Sequence, residues 1–137
     1  MQINVLDLMN HFEPPAAIEG SSANPKRIGK FMLITGPEEL TLIFGEVKEY
    51  AYHANLVYRY CQLREIPCGW EKKPDLLEIY DPQIRLHGGG WFELDETAGH
   101  IRFFGSSTAY GRFHPTRMNT VISDHAYFSK LNVEVSS

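Results

Sequence analysis

The segment at residues 47–65 constrains the fold most, because it contains neither glycine nor proline and lies between regions rich in strand-forming residues. Within it, Ala54, Val57 and Cys61 recur at steps of three and four, which is the spacing of one helix face. This spacing predicts a first helix, and Pro67 is expected to end it. His53 should therefore lie within or near the first turn of that helix.

Extended segments are predicted on both sides of the helix. Residues 30–35 and 40–44 are rich in Ile, Leu, Phe and Thr, and the short break between them predicts a hairpin. After the helix, apolar runs alternate with turn residues, and extended segments are expected at residues 70–73, 76–80, 84–87, 91–94 and 101–104. Residues 95–99 suit a hairpin loop between the last two segments.

A second helix is predicted to begin near His114 and Pro115, because proline is tolerated in a first helical turn. It carries one stripe of side chains, formed by Met118, Val121, Ile122 and His125. A closing strand is expected at residues 133–135. The element order predicts an α+β, or mixed α/β, fold in which helices pack on a mixed sheet.

The first 28 residues are expected to form a partly flexible N-terminal extension outside the core. Apolar residues between Ile3 and Phe12 have the spacing of one or two helical turns, and Pro14 and Pro15 would end such a helix. Residues 16–25 are small, polar and interrupted by glycine and proline. We therefore expect the folded domain to span residues 29–137, and residues 1–28 to be dispensable for folding.

Composition narrows the class of protein. With 137 residues, 43% of them hydrophobic, the chain suits one core, so a single domain is expected. With a formal charge of −4, the chain lacks the excess of basic residues that drives nucleic-acid binding. No apolar run reaches the roughly 18 to 20 residues that span a bilayer. We therefore expect neither nucleic acid nor a membrane as partner, and the cytoplasm as the location.

The two cysteines, Cys61 and Cys68, cannot form a disulfide framework, and with six scattered histidines they match no zinc-ligand pattern. Cys61 is expected to be a helix-packing residue. A redox or metal role is the alternative.

Three features could carry chemistry. Residues 105–111 place small residues between a strand and a helix, where backbone N–H groups can bind an anion, although the same composition also makes ordinary turns. Residues 88–90 are three glycines, typical of a bent sheet or a close backbone approach, and match no nucleotide-binding motif. His53 lies where a helix dipole keeps imidazole neutral and able to accept a proton, unless it is merely a half-buried structural histidine. Together they predict a site for a phosphate-sized anion beside His53.

The chain resembles the Janus/Ocnus family over roughly residues 29–135. The resemblance rests on Tyr52, His53 and Ala54, on the three glycines at 88–90, and on residues 107–111 after a run that ends in Gly105. It implies an approximately six-stranded mixed sheet flanked by two helices, so that residues 29–137 form a phosphohistidine phosphatase-like domain. It also implies a protein without metal or cofactor, whose partners are phosphate and a phosphohistidine-containing protein or peptide. We expect the protein to be a monomer.

The resemblance also assigns site residues. His53 matches the family's catalytic histidine, acting as base or nucleophile, and the substrate-binding residues matched or inferred here are Lys30, Ser107, Thr108, Ala109, Gly111 and Arg112. Active family members carry two arginines at positions that here match Trp91 and Gly45, and Arg112 is the candidate to replace that lost charge. The alternatives are a non-catalytic phospho-ligand or protein-interaction module that keeps the anion loop, and a hydrolase acting on another phosphoramidate.

Overall fold

The computed structural model describes residues 1–9, 26–72 and 76–136. Within these ranges the two α-helices are α1 (His53–Arg64) and α2 (Pro115–Asp124), and a short 3-10 helix spans Ala126–Phe128. The strands are β1 (Gln2–Asp7), β2 (Lys26–Thr35), β3 (Glu39–Glu46), β4 (Cys68–Trp70), β5 (Leu77–Ile79), β6 (Arg85–Asp95), β7 (His100–Phe104) and β8 (Asn132–Val135).

Six strands form one mixed sheet in the order β1-β3-β2-β6-β7-β8. The two outer pairs, β1 with β3 and β7 with β8, are parallel, and the inner pairs are antiparallel. Strands β4 and β5 form a separate antiparallel pair. The prediction of an α+β fold with a six-stranded mixed sheet and two helices is therefore confirmed.

The two helices cover opposite faces of the sheet, as alternate residues of β2 show. Phe31 and Leu33 pack in one buried cluster with Met118 and Val121 of α2. Met32 and Ile34 pack in a second cluster with α1 side chains such as Leu56 and Val57. Because both faces are covered, β2 and β3 are almost continuously apolar rather than alternating. The first hairpin, the second helix and the closing strand are confirmed.

The predicted break between residues 84–87 and 91–94 is wrong, because residues 85–87 and 91–94 belong to the single strand β6. The three glycines at 88–90 lie inside this strand rather than at its end. A Cβ atom on Gly89 would lie 2.1 Å from the carbonyl oxygen of Phe31, and one on Gly90 would lie 2.3 Å from that of Phe104. Glycine is needed here because the neighbouring backbones approach too closely for any side chain.

The first helix begins at His53, so the prediction that His53 lies within or near its first turn is confirmed. After β3 the chain makes a turn, in which the amide of Tyr50 donates to the carbonyl of Glu46 at 2.9 Å. The Asn55 side chain accepts a hydrogen bond from the Tyr52 amide at 2.9 Å, which caps the helix. Local capping therefore sets the helix start and places His53 at its first position.

The expectation that the N-terminal segment is helical and lies outside the core is wrong for residues 2–9. Strand β1 pairs in parallel with β3 at the sheet edge, and Met9 is buried in the α2-side cluster. Ile3 and Val5 pack against that cluster, whereas Leu6 and Leu8 pack against the other. Apolar residues divided between two faces suit a strand covered on both sides. Residues 26–28 of the predicted extension are also part of the sheet, because they begin β2. Residues 10–25 lie outside the described residues.

Candidate functional site

A cavity of about 270 Å³ opens where the first turn of α1 meets β2, β6 and the loop after β7. It is lined by Lys30, Tyr52, His53, Trp91, Ser106, Thr108 and Ala109. Four predicted site residues thus come together here, namely Lys30, His53, Thr108 and Ala109. The loop at residues 105–111 and His53 therefore line the same cavity, as they must if both act on one ligand.

His53 is held in one orientation by the backbone of β6. Its side chain is only 6% exposed, and its Nε2 lies 2.9 Å from the carbonyl oxygen of Gly90. Because a carbonyl oxygen can only accept a hydrogen bond, Nε2 must carry the proton. The other nitrogen, Nδ1, therefore keeps its lone pair and can accept a proton or attack an electrophile.

The glycines of β6 make room for this ring. A Cβ atom on Gly89 would lie 3.1 Å from Cδ2 of His53, closer than ordinary packing allows. Gly90 supplies the carbonyl that fixes the tautomer. The triple glycine therefore positions the candidate catalytic nitrogen as well as permitting close strand packing.

The imidazole of His53 is held neutral near pH 7. Burial lowers its pKa below the ordinary 6.5, the hydrogen bond to Gly90 opposes that change, and the charge of Lys30 lowers the pKa further. The position at the N-terminus of α1 also disfavours the imidazolium, because the helix dipole is positive there. The residue is therefore suited to work as a base or nucleophile rather than as an acid.

An NMR titration of the His53 ring should give a midpoint below pH 6.5. The folded protein holds the ring neutral to lower pH than the unfolded chain does, so the unfolded chain binds more protons as pH falls through 6.5. The free energy of unfolding should consequently fall on acidification below that value, as far as His53 contributes to it. A midpoint at or above 6.5 would contradict the burial and the charge contact described here.

Lys30 provides a fixed positive charge at the cavity. Its Nζ donates to the carbonyl of Ala51 at 2.6 Å and lies 4.9 Å from the centre of the Trp91 ring and 5.9 Å from that of Tyr52. Both distances are within the range of cation–π attraction. Burial lowers the pKa of the Lys30 ammonium from its ordinary value. The ammonium is thus held between two aromatic rings at the place where an anion would bind.

The strand register places Gly45 and Trp91 on either side of Lys30. Lys30 pairs directly with Gly45 on β3 and with Trp91 on β6, so all three residues share one face of the sheet. A Cβ atom on Gly45 would lie 2.5 Å from the ring of Tyr50, so no larger side chain fits there without moving that ring. Lys30 therefore lies between a glycine and a tryptophan on this face of the sheet.

The loop at residues 105–111 is closed by its own hydrogen bonds. The amide of Ser107 donates to the carbonyl of Gly111 at 3.0 Å, and the amide of Gly111 donates back at 2.8 Å. The Ser107 hydroxyl accepts from the amide of Tyr110 at 3.0 Å, and the Ser107 side chain is 3% exposed. Ser107 and Gly111 therefore shape the loop. The sequence predicted that both would bind the substrate, but neither lines the cavity.

Thr108 and Ala109 are better placed to bind an anion. Both line the cavity, and their amide N–H groups make no hydrogen bond within the part of the chain that the structure describes. Unpaired N–H groups in a tight loop are typical anion donors. The free amide donors of the loop therefore lie at its tip and not at its closing residues.

The triple glycine also anchors this loop. The amide of Gly89 donates to the carbonyl of Gly111 at 3.2 Å, and a Cβ atom on Gly88 would lie 2.2 Å from the carbonyl oxygen of Arg112. Gly88 has a positive φ of 83°, which glycine adopts without strain. Two features that the sequence presented separately are therefore one structural unit.

The Arg112 side chain is exposed and is not among the residues that line the cavity, so the prediction that it supplies the missing charge is not supported by its position. Among the described residues, Lys30 is the one cation that does line it. Sequence reasoning missed Tyr52 and Ser106 as lining residues and took Trp91 only as a lost arginine. The pairing of β2 with β6, which sets Trp91 beside Lys30, would have identified Trp91 as a residue of the cavity.

Within residues 1–9, 26–72 and 76–136, no three His, Cys, Asp or Glu side chains cluster in a way that would hold a metal ion. In the same residues, no helix combines the length and the apolar character needed to cross a bilayer. Neither the models of known protein families nor the curated proteins give a significant match to this chain.

Proposed function

We propose that the chain is a metal-independent protein phosphohistidine phosphatase of the Janus/Ocnus kind, with His53 as its catalytic residue. The observation that carries the proposal is the hydrogen bond from His53 Nε2 to Gly90. It leaves Nδ1 unprotonated, and His53 lines a cavity together with Lys30, Thr108 and Ala109, the last two with unpaired amides. Phosphoryl transfer needs a nucleophilic or basic group together with hydrogen-bond donors that hold the phosphoryl oxygens.

In this proposal the phosphoryl oxygens bind to the Lys30 ammonium and to the loop amides, which stabilise the charge that develops at phosphorus. His53 Nδ1 then either takes a proton from the attacking water or attacks phosphorus itself and is later released by water. Overall, a water oxygen bonds to phosphorus, the P–N bond breaks, and the leaving imidazole takes a proton. The products are histidine and inorganic phosphate.

A phosphoramidate suits this site better than a phosphate monoester. Once protonated, an imidazole is a good leaving group, so the reaction needs less charge stabilisation than loss of an alkoxide. One ammonium and two amides supply limited stabilisation, since each charge-assisted hydrogen bond is worth about 1.5 to 3 kcal/mol. The rings of Trp91 and Tyr52 beside Lys30 also offer flat surfaces to a planar imidazole.

A second candidate function is a non-catalytic module that binds phosphate or a phosphopeptide. One observation favours it: among the described residues, the cavity is lined by a single cation, where active Janus/Ocnus members carry further arginines. Such a module would bind phosphohistidine peptide or phosphate through Lys30 without releasing phosphate. Turnover by the wild type separates the two candidates.

Replacing Lys30 with methionine should lower kcat/KM for a phosphohistidine peptide by roughly 10- to 100-fold, the kinetic equivalent of one charge-assisted bond. Methionine keeps an unbranched apolar stem beside Trp91 while removing the charge. Arg112→Met is the matched control, because Arg112 is exposed and outside the cavity lining. It should change kcat/KM by less than about three-fold. Equal losses in both variants would show that a general surface charge, and not the Lys30 contact, assists the reaction.

A further inference from the structure

A second, larger groove of about 700 Å³ adjoins the candidate site on the outer side of α1. Its walls come from the turn before α1, from α1 itself and from the end of β4, and its aromatic lining residues are Tyr50, Tyr52, Tyr58 and Trp70. Tyr52 lines both this aromatic groove and the cavity that holds His53. The two spaces are therefore neighbours that share one wall.

Three of the four aromatic side chains of the groove, those of Tyr52, Tyr58 and Trp70, are exposed to solvent. Tyr58 is 36% exposed and Trp70 is 43% exposed, and their ring centres lie 5.4 Å apart. Folded monomers seldom leave clustered aromatic rings exposed unless they contact a partner. Tyrosine and tryptophan are also the residues that most often dominate binding energy at interfaces, because they bury much area at low entropic cost.

We propose that the aromatic groove binds the polypeptide segment flanking the phosphohistidine, so that the substrate is a phosphorylated protein rather than a free small phosphoramidate. The inference rests on the proposed function of the His53 cavity. A histidine side chain placed in that cavity must leave its main chain outside it, and the groove is next to the cavity because Tyr52 lines both. Neighbouring residues of the same segment then lie across the rings of Tyr58 and Trp70.

The charges around the groove indicate what kind of segment fits. Glu49 and Glu71 are matched in number by Arg59 and Lys72, so the described lining has no net charge. A neutral lining gives no preference for a polyanion such as nucleic acid or an acidic lipid surface. The aromatic rings therefore offer the main apolar contacts in the described lining, and the segment should carry apolar side chains close to the phosphohistidine.

The test compares two substrates, phosphoramidate itself and a short peptide in which leucines flank a phosphohistidine. The measured quantity is the ratio of kcat/KM for the peptide to kcat/KM for phosphoramidate. Trp70→Ala and Tyr58→Ala should each lower this ratio about ten-fold, the loss typical of one interface anchor. Leu63→Ala is the matched control, because Leu63 lies on α1, is 47% exposed and does not line the groove. It should leave the ratio within about two-fold of the wild type.

A ratio that is unchanged in both aromatic variants, while both substrates are hydrolysed, would overturn the groove proposal and leave the phosphatase proposal intact. If the wild type hydrolyses neither substrate, the proposed function fails, and the groove is tested by binding alone. The chain has two tryptophans, so a Trp91→Phe variant reports on Trp70 alone by fluorescence. A saturable change with the unphosphorylated peptide would support the groove proposal, and its absence would overturn it. A dimer that Trp70→Ala dissociates would also overturn it, since a second copy would then occupy the groove.

Discussion

Replacing His53 with alanine should lower kcat/KM for a phosphohistidine peptide by about 100- to 10,000-fold, because the change removes the only proton-accepting group placed in the cavity by the described residues. The loss should exceed that of Lys30→Met, since Lys30 is one of several groups that bind the phosphoryl oxygens. The measurement is the initial rate of phosphate release at pH 7, where the wild-type imidazole is neutral.

The matched control is His87→Ala. His87 lies on β6 and contacts the Thr35 hydroxyl at 2.6 Å, and it does not line the cavity. It should reduce kcat/KM by less than about three-fold. Circular dichroism must show that both variants fold, because His53 is buried and bonded to Gly90. A folded His53→Ala protein with near-wild-type activity would exclude His53 from the chemistry.

Replacing Gly89 with alanine should lower the free energy of unfolding by about 3 kcal/mol or more, the upper end of the cost of overpacking. The new methyl group would lie 2.1 Å from the Phe31 carbonyl oxygen and 2.7 Å from Sδ of Met32. Since backbone atoms cannot move away as a flexible side chain can, β2 and β6 would have to separate. Urea denaturation measures the change.

Gly36→Ala is the control for this prediction. The nearest atoms to a Cβ there belong to the flexible Glu39 side chain at 3.3 Å, and Gly36 has no positive φ. Its stability should stay within about 1 kcal/mol of the wild type. Similar stabilities for Gly89→Ala and Gly36→Ala would show that the close approach of β2 and β6 is not required.

Helix α1 and the first hairpin could be predicted because their signals are local. The spacing of Ala54, Val57 and Cys61 identifies the buried face of α1, and all three are indeed buried. The start of α1 could not be read from the same pattern, because it depends on the turn after β3 and on the cap by Asn55. Absence of glycine and proline permits a helix without setting where it begins.

The N-terminal strand was missed because short apolar runs do not distinguish helix from strand. Ile3, Val5, Leu6 and Leu8 fit a helical spacing as well as a strand covered on both faces. Pairing with β3 decides between the two, and that contact joins residues far apart in the chain. The break predicted at residues 88–90 was wrong for the same reason, whereas the close backbone approach predicted from the three glycines is confirmed.

Within the candidate site, the sequence indicated which residues come together better than it indicated which of their atoms are free to bind a ligand. His53, Lys30 and the loop tip are brought together, whereas the roles of Ser107 and Arg112 depended on hydrogen bonds inside the loop and on side-chain exposure. Trp91 was interpreted only as the replacement of an arginine, because the strand pairing that sets it beside Lys30 cannot be read from the sequence. Cross-strand neighbours such as these define a site on a sheet, and they are fixed by the fold rather than by spacing along the chain.

The most direct test of the phosphatase proposal is a ³¹P NMR time course of a phosphohistidine peptide with the wild-type protein, in buffer that contains EDTA. The account predicts that the phosphoramidate signal decays and inorganic phosphate appears faster than in protein-free buffer, with the His53→Ala protein close to the protein-free rate. Equal rates with and without the wild-type protein would contradict the account.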